Sequence, residues 1–355
     1  MLTAFILTGI VQLLTVALPE AVTVGVPQVV AFALPKVVIW LLFGVAGGLA
    51  VWMILSLIAA FIVYFKVLHR WNKKKWTREC SSDDERQHQM YREGVEWIES
   101  TGVKPKEVSI KRRGLNLYGE YYDFGFDRTA VLISGRTEGL VYSYYFSKPY
   151  IESGFNVFVF DQRAHGISDG HCNSLGFKES KDLLAWCRYL HDELGTKEIY
   201  LHGICIGSAC GLYALVNKNC PDYVVGLTAD GMYSTFYRSF INHALERVKH
   251  LTPVIQMVDM IQICATGCTM RRGPIHVISR LRKPLLMLHS REDTYSIPKY
   301  AVELYEKAGS KKKELSWFEH GAHSMLRVTD KEHYDAVIKD YLKRNFQTDR
   351  KADGI

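Results

Sequence analysis

Residues 37–65 form a run of 29 residues without a charged side chain, VVIWLLFGVAGGLAVWMILSLIAAFIVYF. About 20 apolar residues are enough for a helix to cross the hydrocarbon core of a bilayer. A helix buried in a protein core is the alternative, but 29 uncharged residues are too many for one. The run therefore predicts a membrane-spanning helix with enough length to tilt.

Basic residues follow this run directly. Between Lys66 and Arg78 the chain has six lysines and arginines and no acid, so much of its net charge of +7 is local. A basic segment beside a membrane helix indicates the cytoplasmic side, which explains the charge better than a nucleic-acid partner does. Trp71 and Trp76 suit the headgroup layer, or they are ordinary surface or core aromatics. We expect a protein of the cell membrane whose C-terminal part faces the cytoplasm.

The first 34 residues allow two interpretations. Residues 2–18, LTAFILTGIVQLLTVAL, are marginally long enough to span a membrane. A secretory signal needs a positively charged start, and nothing before Lys36 is basic. We favour a short first span that pairs with 37–65, which would make the protein two-pass. A re-entrant or interfacial segment is the alternative.

The soluble part alternates short β-rich runs with helical ones. Most of the β-rich runs are continuously apolar, as expected for strands buried on both faces of a parallel sheet, and the first two indicate an antiparallel start. This alternation predicts an α/β fold with a mostly parallel, doubly wound sheet of eight strands and helices on both faces. The predicted strands are 108–112, 115–124, 130–135, 156–161, 198–205, 223–230, 284–290 and 314–320. The predicted helices are 142–153, 177–194, 206–217, 296–308 and 330–345.

The domain organisation follows from these patterns. Residues 231–282 contain no strand-like run, so we expect a helical lid there, placed over the carboxyl ends of the strands, where ligands bind in open α/β sheets. The predicted parts are a membrane anchor (1–66), a basic juxtamembrane and linker segment (67–104), a folded domain (105–346) and a polar tail (347–355).

The stretch LHGICIGSAC, residues 201–210, is the most specific motif. Gly203 and Gly207 flank Cys205 with the spacing of the G-x-S-x-G nucleophile elbow, in which the nucleophile lies on a sharp turn between a strand and a helix. Here a predicted strand precedes Cys205 and a helix rich in small residues follows it. The two glycines remove side chains that would collide with the neighbouring strand and helix. Cys205 is therefore the candidate nucleophile.

A thiol nucleophile needs a base, and the base needs an acid that orients it. Asp293 follows the seventh predicted strand and His323 follows the eighth, which gives the chain order nucleophile, acid, histidine. His320 is a rival base. Glu292 and Asp230 are rival acids, Asp230 because it ends the sixth strand.

Acyl transfer also needs donors for the developing oxyanion. The backbone N–H of Ile206, directly after Cys205, is one candidate. The N–H of Arg136, in the loop after the third strand, is the other. The Arg136 guanidinium could bind an anionic substrate group or pair with Glu138. No metal or organic cofactor is implied, and Cys264 and Cys268 have no second pair or suitably placed histidine for a zinc site.

Together these pieces resemble the α/β-hydrolase superfamily, in particular bacterial membrane-anchored hydrolases of the serine aminopeptidase (S33)-like group. The resemblance rests on VFVFDQRAHGISDG (157–170), the elbow, LHSREDTYSIP (288–298) and GAHS (321–324). It implies that His165 is structural. Two departures stand out: the family's His-Gly at the oxyanion loop is Ser134-Gly135 here, and cysteine replaces the serine nucleophile, as in dienelactone hydrolases and bile-acid amino-acid acyltransferases.

These observations lead to three functional hypotheses. The first is a hydrolase of carboxylic esters or thioesters that acts through a Cys-His-Asp triad and a thioester acyl-enzyme. The second is a cysteine-dependent N-acyltransferase, because a thioester reacts readily with amines. The third is a non-catalytic binding protein with this fold. The anchor and the apolar lid residues suggest a small, lipophilic acyl substrate and contact with the lipid bilayer.

Overall fold

The computed structural model describes residues 36–247 and 252–346. The chain divides into two compact units, one ending at Trp52 and one beginning at Met53. The predicted first span (2–18), the polar tail (347–355) and residues 248–251 of the predicted lid lie outside the described residues.

Helix α1, Lys36–Val67, contains the uncharged run. Its segment Val38–Val67 is long and apolar enough to cross a membrane, since 30 residues rise by about 45 Å. Large apolar side chains are exposed along it from Trp40 to Phe65. An exposed apolar surface of this size is typical of a lipid or protein contact. The helix is therefore a candidate membrane anchor.

Eight strands form one sheet, as predicted, and each lies within two residues of its predicted bounds. They are β1 Lys106–Arg112, β2 Leu115–Tyr122, β3 Arg128–Ile133, β4 Asn156–Phe160, β5 Glu198–Ile204, β6 Val224–Asp230, β7 Leu285–Ser290 and β8 Lys313–Phe318. Their order is β1-β2-β4-β3-β5-β6-β7-β8. Strand β2 is antiparallel to both of its neighbours, and all other neighbouring strands are parallel.

Helices connect and cover the strands. After α1 they are α2 Glu85–Ser100, α3 Leu140–Tyr144, α4 Lys148–Ile151, α5 Glu179–Asp192, α6 Ile206–Leu215, α7 Phe236–Arg247, α8 Thr252–Thr266, α9 Pro298–Lys307, α10 Leu326–Thr329 and α11 Lys331–Phe346. The helix predicted at 142–153 is divided into α3 and α4. Pro149 lies in the first turn of α4, where its missing N–H is tolerated, whereas inside one continuous helix it would break a hydrogen bond.

Helix α2 lies within the segment that the sequence assigned to a linker. Asp84 caps it by accepting a hydrogen bond from the Arg86 N–H. Gly94 lets the helix approach the chain after α3, because a Cβ there would lie 2.7 Å from the backbone nitrogen of Tyr145. The segment between α1 and β1 thus contributes packed structure to the unit that begins at Met53.

Both faces of the sheet are covered. Phe158 of β4 packs against Trp186 of α5, with ring centroids 5.0 Å apart. The strand register aligns Phe158 with Leu201, so the adjacent Tyr200 lies on the opposite face. There it packs against Tyr150 of α4 at 6.0 Å. Helices on both faces keep the parallel strands buried.

The described part of the insertion between β6 and β7 is helical. It contains α7, α8 and two short 3-10 turns, Pro274–His276 and Ile278–Arg280. Phe236 and His243 of α7 contact the ring of Tyr295, which follows β7, at centroid distances of 6.4 and 6.0 Å. The insertion therefore reaches the loop at the carboxyl end of β7.

Trp186→Ala tests the core. Trp186 is fully buried, so its truncation leaves a large cavity and should lower the free energy of unfolding by about 3–5 kcal/mol. Thermal unfolding of the full-length protein in detergent micelles measures the loss. Trp71→Ala is the control, since Trp71 is 66% exposed and its removal opens no cavity. Equal stability of the two variants would contradict this packing.

Candidate active site

Cys205 lies on a sharp turn between β5 and α6. Its φ is +55°, a conformation that costs free energy for a residue with a side chain. A Cβ on Gly203 would lie 2.2 Å from the carbonyl carbon of Gly207, and one on Gly207 would lie 2.2 Å from the Ile133 carbonyl oxygen. Both positions therefore require glycine. The Cys205 N–H donates to the Asp230 carbonyl oxygen at 2.8 Å, which ties the turn to β6.

Asp293 and His323 meet at the carboxyl end of the sheet. The Asp293 Oδ2 is 2.7 Å from the His323 Nδ1. Its Oδ1 accepts hydrogen bonds from the backbone N–H groups of Tyr295 and Ser296, at 2.9 and 2.7 Å. The carboxylate is buried and held by the loop after β7. Because the carboxylate binds Nδ1, the other ring nitrogen, Nε2, is the one that can exchange a proton with a reacting group.

Charges at this pair shift the pKa values of both partners. Burial by itself lowers the pKa of His323, but the Asp293 carboxylate and the Cys205 side chain outweigh it and raise that pKa well above its ordinary value. Burial raises the pKa of Asp293, and the charge of His323 and its hydrogen bond outweigh this and lower it. The His323 Nε2 is buried and has no well-aligned hydrogen-bond partner among the described residues, although the Cys205 side chain is near enough to interact with the ring. The arrangement favours a protonated imidazole beside the thiol.

Two further residues shape the surroundings of His323. Gly231 has a φ of +59°, and a Cβ there would lie 3.1 Å from the His323 Cε1. The ring of Tyr295 lies 4.8 Å from that of His323, centroid to centroid. Sequence reasoning missed both. A glycine directly after a predicted strand was a weak signal for the first, and nothing in the sequence pointed to Tyr295.

The rival residues lie elsewhere. His320 and Glu292 pair with each other at 3.0 Å, and both side chains are mostly exposed. Asp230 is fully buried and accepts a hydrogen bond from the Tyr334 hydroxyl at 2.8 Å. Burial raises the pKa of Asp230 to about 7, although the Tyr334 hydrogen bond and the charge of His323 oppose the rise. Among the described residues it makes no hydrogen bond to His323, which contacts Asp293 instead.

The two candidate oxyanion donors follow the carboxyl ends of neighbouring strands: Ile206 is the first residue of α6, after β5, and Arg136 lies in the loop after β3. Neither the Ile206 N–H nor the Arg136 N–H donates a hydrogen bond within the described residues. The Ile206 N–H is free because it belongs to the first turn of α6. Glu138 forms no ion pair with the Arg136 guanidinium in the described structure; the Nη1 of that group donates to the Val67 carbonyl oxygen at 2.7 Å.

His165 supports the loop that carries Arg136. Its Nε2 lies 2.6 Å from the Arg136 carbonyl oxygen and its Nδ1 lies 2.9 Å from the Arg163 carbonyl oxygen. The imidazole thus bridges two backbone segments and makes no contact with Cys205 that the structure records. This agrees with a structural role.

The site combines a thiol, an imidazole, a carboxylate and two free N–H donors. Such a set can form and break acyl bonds without a bound group, because the thiol supplies the nucleophile and the imidazole moves the proton. In the described part of the chain, no group of three or more His, Cys, Asp or Glu side chains could hold a metal ion.

Comparison with known proteins agrees with this architecture. Residues 131–252 match the family model of the alpha/beta hydrolase fold. The uncharacterized protein YqkD of Bacillus subtilis is 28% identical over 223 residues, which cover 60% of this chain and 70% of that protein.

Solved structures share the fold at low sequence identity. The esterase Pf2001 of Pyrococcus furiosus has a TM-score of 0.57 at 21% identity and covers 70% of this chain and 94% of its own. The α/β hydrolase GrgF of a Penicillium species has 0.54 at 17%, over 68% and 99%. An esterase from Exiguobacterium antarcticum has 0.50 at 16%, over 67% and 100%. The chain thus has the α/β-hydrolase fold.

Asp293→Asn tests the electrostatics of the site. Without the carboxylate, burial should lower the pKa of His323, so the ring becomes neutral near pH 7 and no longer places a positive charge beside the Cys205 sulfur. Each unit by which that pKa falls below the working pH lowers the protonated fraction about tenfold. Between about pH 6 and 8, alkylation of Cys205 by iodoacetamide should therefore be slower in Asp293→Asn than in the wild type.

Glu292→Gln is the matched control, because Glu292 contacts the exposed His320 instead of His323. Its alkylation profile should equal that of the wild type. If the wild type and Asp293→Asn have the same profile, Asp293 does not set the charge of His323.

Proposed function

We propose that this protein is a membrane-anchored hydrolase of carboxylic esters or thioesters, with Cys205 as nucleophile, His323 as general base and acid, and Asp293 as the residue that orients His323. The observation that carries the proposal is that Cys205, whose backbone is strained, lies beside the hydrogen-bonded pair of His323 and Asp293. A residue is held in a strained conformation only where the surrounding structure enforces it, and such positions cluster at active sites.

The proposed reaction has two steps. The Cys205 thiolate attacks the acyl carbonyl carbon, and the N–H groups of Ile206 and Arg136 stabilise the oxyanion. The protonated Nε2 of His323 gives its proton to the leaving alcohol or thiol, which leaves a thioester on Cys205. His323 then takes a proton from water, the hydroxyl oxygen attacks the thioester, and collapse releases the carboxylic acid. The thiolate departs from the tetrahedral intermediate and pairs again with the protonated His323.

Esters and thioesters suit this nucleophile better than amides. A thiolate is a better leaving group than an amine, so the tetrahedral intermediate of an amide tends to revert. Alcohols and thiols leave more readily, particularly when His323 protonates them. We therefore place ester and thioester bonds ahead of peptide bonds.

The proposed substrate is lipophilic and the proposed location is the cytoplasmic face of the cell membrane. Apolar side chains are exposed along α1, and Met260 and Ile263 of α8 in the lid are 65% and 45% exposed. An exposed apolar surface on a lid favours contact with acyl chains or with the bilayer. The basic residues after α1 support the cytoplasmic orientation.

Competition between two cysteines tests the nucleophile. Cys205 is only 8% exposed, whereas Cys264 on α8 is exposed. If access alone determined reactivity, a thiol probe would label Cys264 first. We expect Cys205 to react faster, by about tenfold or more, because the protonated His323 places a positive charge beside its sulfur. Peptide mass spectrometry of the purified full-length protein measures both rates.

His323→Ala supplies the comparison for this experiment. It should slow labelling of Cys205 and leave labelling of Cys264 unchanged, since Cys264 is exposed on α8. Cys205 that stays unlabelled in the folded wild type would contradict the enzyme proposal and favour a binding protein.

Product analysis separates hydrolysis from acyl transfer. We expect the wild type to release free carboxylic acid from acyl thioesters and p-nitrophenyl esters, with kcat/KM rising as the acyl chain lengthens, and Cys205→Ala to release none above background. Mass spectrometry of products formed with and without an added amine identifies the acceptor. Amide as the main product would replace the hydrolase proposal with an N-acyltransferase.

A further inference from the structure

Residues 68–78, here called the arm, connect the candidate membrane helix to the domain and are packed into it. Leu68, Arg70 and Trp76 are at most 4% exposed. The Arg70 N–H donates to the His171 carbonyl oxygen at 2.6 Å, and the Asn173 N–H donates to the Leu68 carbonyl oxygen at 3.1 Å. A spacer that only joined two parts would have no such pairing.

Trp76 makes the central contact of the arm. Its ring stacks on the imidazole of His165, with centroids 4.9 Å apart and planes 13° from parallel. Its carbonyl oxygen accepts a hydrogen bond from the Gly166 N–H at 2.7 Å. Trp76 has a φ of +55°, which a bulky residue adopts only where its surroundings enforce it. Trp71, on the same arm, is 66% exposed.

Arg70 holds the same turn from another side. Its Nη2 donates to the Gly166 carbonyl oxygen at 2.5 Å and its Nη1 donates to the Ser168 carbonyl oxygen at 3.1 Å. The planar guanidinium reaches the two carbonyls with two separate nitrogens in a fixed fork, a geometry that a lysine ammonium does not have. The turn after His165 is therefore clamped by two buried side chains of the arm.

The contacts of the arm continue through His165 to Arg136, whose N–H is a proposed oxyanion donor. The His165 Nε2, under the Trp76 ring, lies 2.6 Å from the Arg136 carbonyl oxygen. The Arg136 side chain in turn donates to the Val67 carbonyl oxygen at the end of α1. The backbone of Arg136 is thus held through His165, on which Trp76 stacks, and its side chain is held by Val67.

We propose that the arm is a working part of the active site: Trp76 and Arg70 are positioning residues that act through His165 to aim the Arg136 N–H at the oxyanion. This inference rests on the hydrolase proposed above. It means that the segment leaving the membrane helix sets the geometry of a catalytic donor, so the domain needs this segment for turnover as well as for attachment. Ordered support of this kind is what an oxyanion donor requires, because its value depends on preorganisation.

The experiment uses the full-length protein in detergent micelles. Trp76→Ala removes the stacked ring, Trp76→Phe retains a flat ring, and Trp71→Ala removes the exposed indole of the same arm. Ester or thioester kcat and KM are measured together with the rate of Cys205 alkylation. Alkylation needs the thiolate and His323 but no oxyanion donor, so it separates a displaced Arg136 from a damaged triad.

We expect Trp76→Ala to lower kcat by about tenfold or more, with KM and alkylation rate within about twofold of the wild type, since loss of a whole oxyanion donor costs about 100- to 1000-fold. Trp76→Phe should recover most of kcat, and Trp71→Ala should equal the wild type. An unchanged kcat in Trp76→Ala overturns the proposal. So does a parallel fall of kcat, alkylation rate and unfolding temperature, because that indicates a role in folding alone.

A second variant and a second measurement cover the cases in which Trp76→Ala does not fold or the wild type has no esterase activity. If Trp76→Ala does not fold, Arg70→Lys retains the charge but loses the fork, and it should lower kcat in the same selective way. Amide hydrogen exchange covers the case in which the wild type turns over no ester. Faster exchange confined to 134–139 and 163–168 in Trp76→Ala supports the positioning role even then, whereas unchanged exchange there overturns it. Exchange in β5 is the internal reference.

Discussion

The close approach of β5, α6 and β3 at Cys205 is the constraint on which the site depends. Two positions have no room for a Cβ: Gly203 faces the backbone of Gly207, and Gly207 faces the Ile133 carbonyl oxygen. In this packing Cys205, directly before the first residue of α6, has a positive φ. The first N–H of α6 has no helical partner, as at the start of any helix. One turn thus carries both the candidate nucleophile and a candidate oxyanion donor.

Electrostatics then determine what the thiol can do. His323 lies between an acid and a thiol, and their charges outweigh the cost of burying a protonated ring. The carboxylate of Asp293 remains ionised because two backbone N–H groups and the imidazole hold it. Asp230 shows the opposite case. It ends β6, and burial without a cationic hydrogen-bond partner raises its pKa to about 7. The difference between the two acids lies in their surroundings.

The arm is packed structure as well as a connection. A tether need only be long enough, whereas residues 68–78 bury a tryptophan and an arginine against the turn that supports Arg136. Buried, directional contacts of this kind hold one geometry, which a solvated basic segment does not. The basic composition of 66–78 therefore describes only part of its role. Its lysines at 73 and 74 are exposed, whereas Arg70 and Trp76 are buried against the turn that follows His165.

Local pattern and local sterics were readable from the residues alone. Apolar runs of strand length predicted all eight strands, and the spacing of Gly203, Cys205 and Gly207 predicted the elbow, because both signals arise within a few residues of the chain. Helix α2 was missed because its buried positions are spread over a polar segment whose charge suggested a linker. The predicted helix 142–153 is two helices because Pro149 does not fit inside a continuous one, a restriction that the apolar period does not express.

Contacts between distant segments were decided by the tertiary structure. Asp293 and Glu292 are neighbours, as are His323 and His320 within one loop, and either pairing suits the chain order. Only the packed loops show that Asp293 meets His323 inside while Glu292 meets His320 at the surface. In the same way, Trp76 and Trp71 look alike in a basic segment, and only the fold buries one of them against His165. Such choices depend on where separate strands end relative to each other, which no local period encodes.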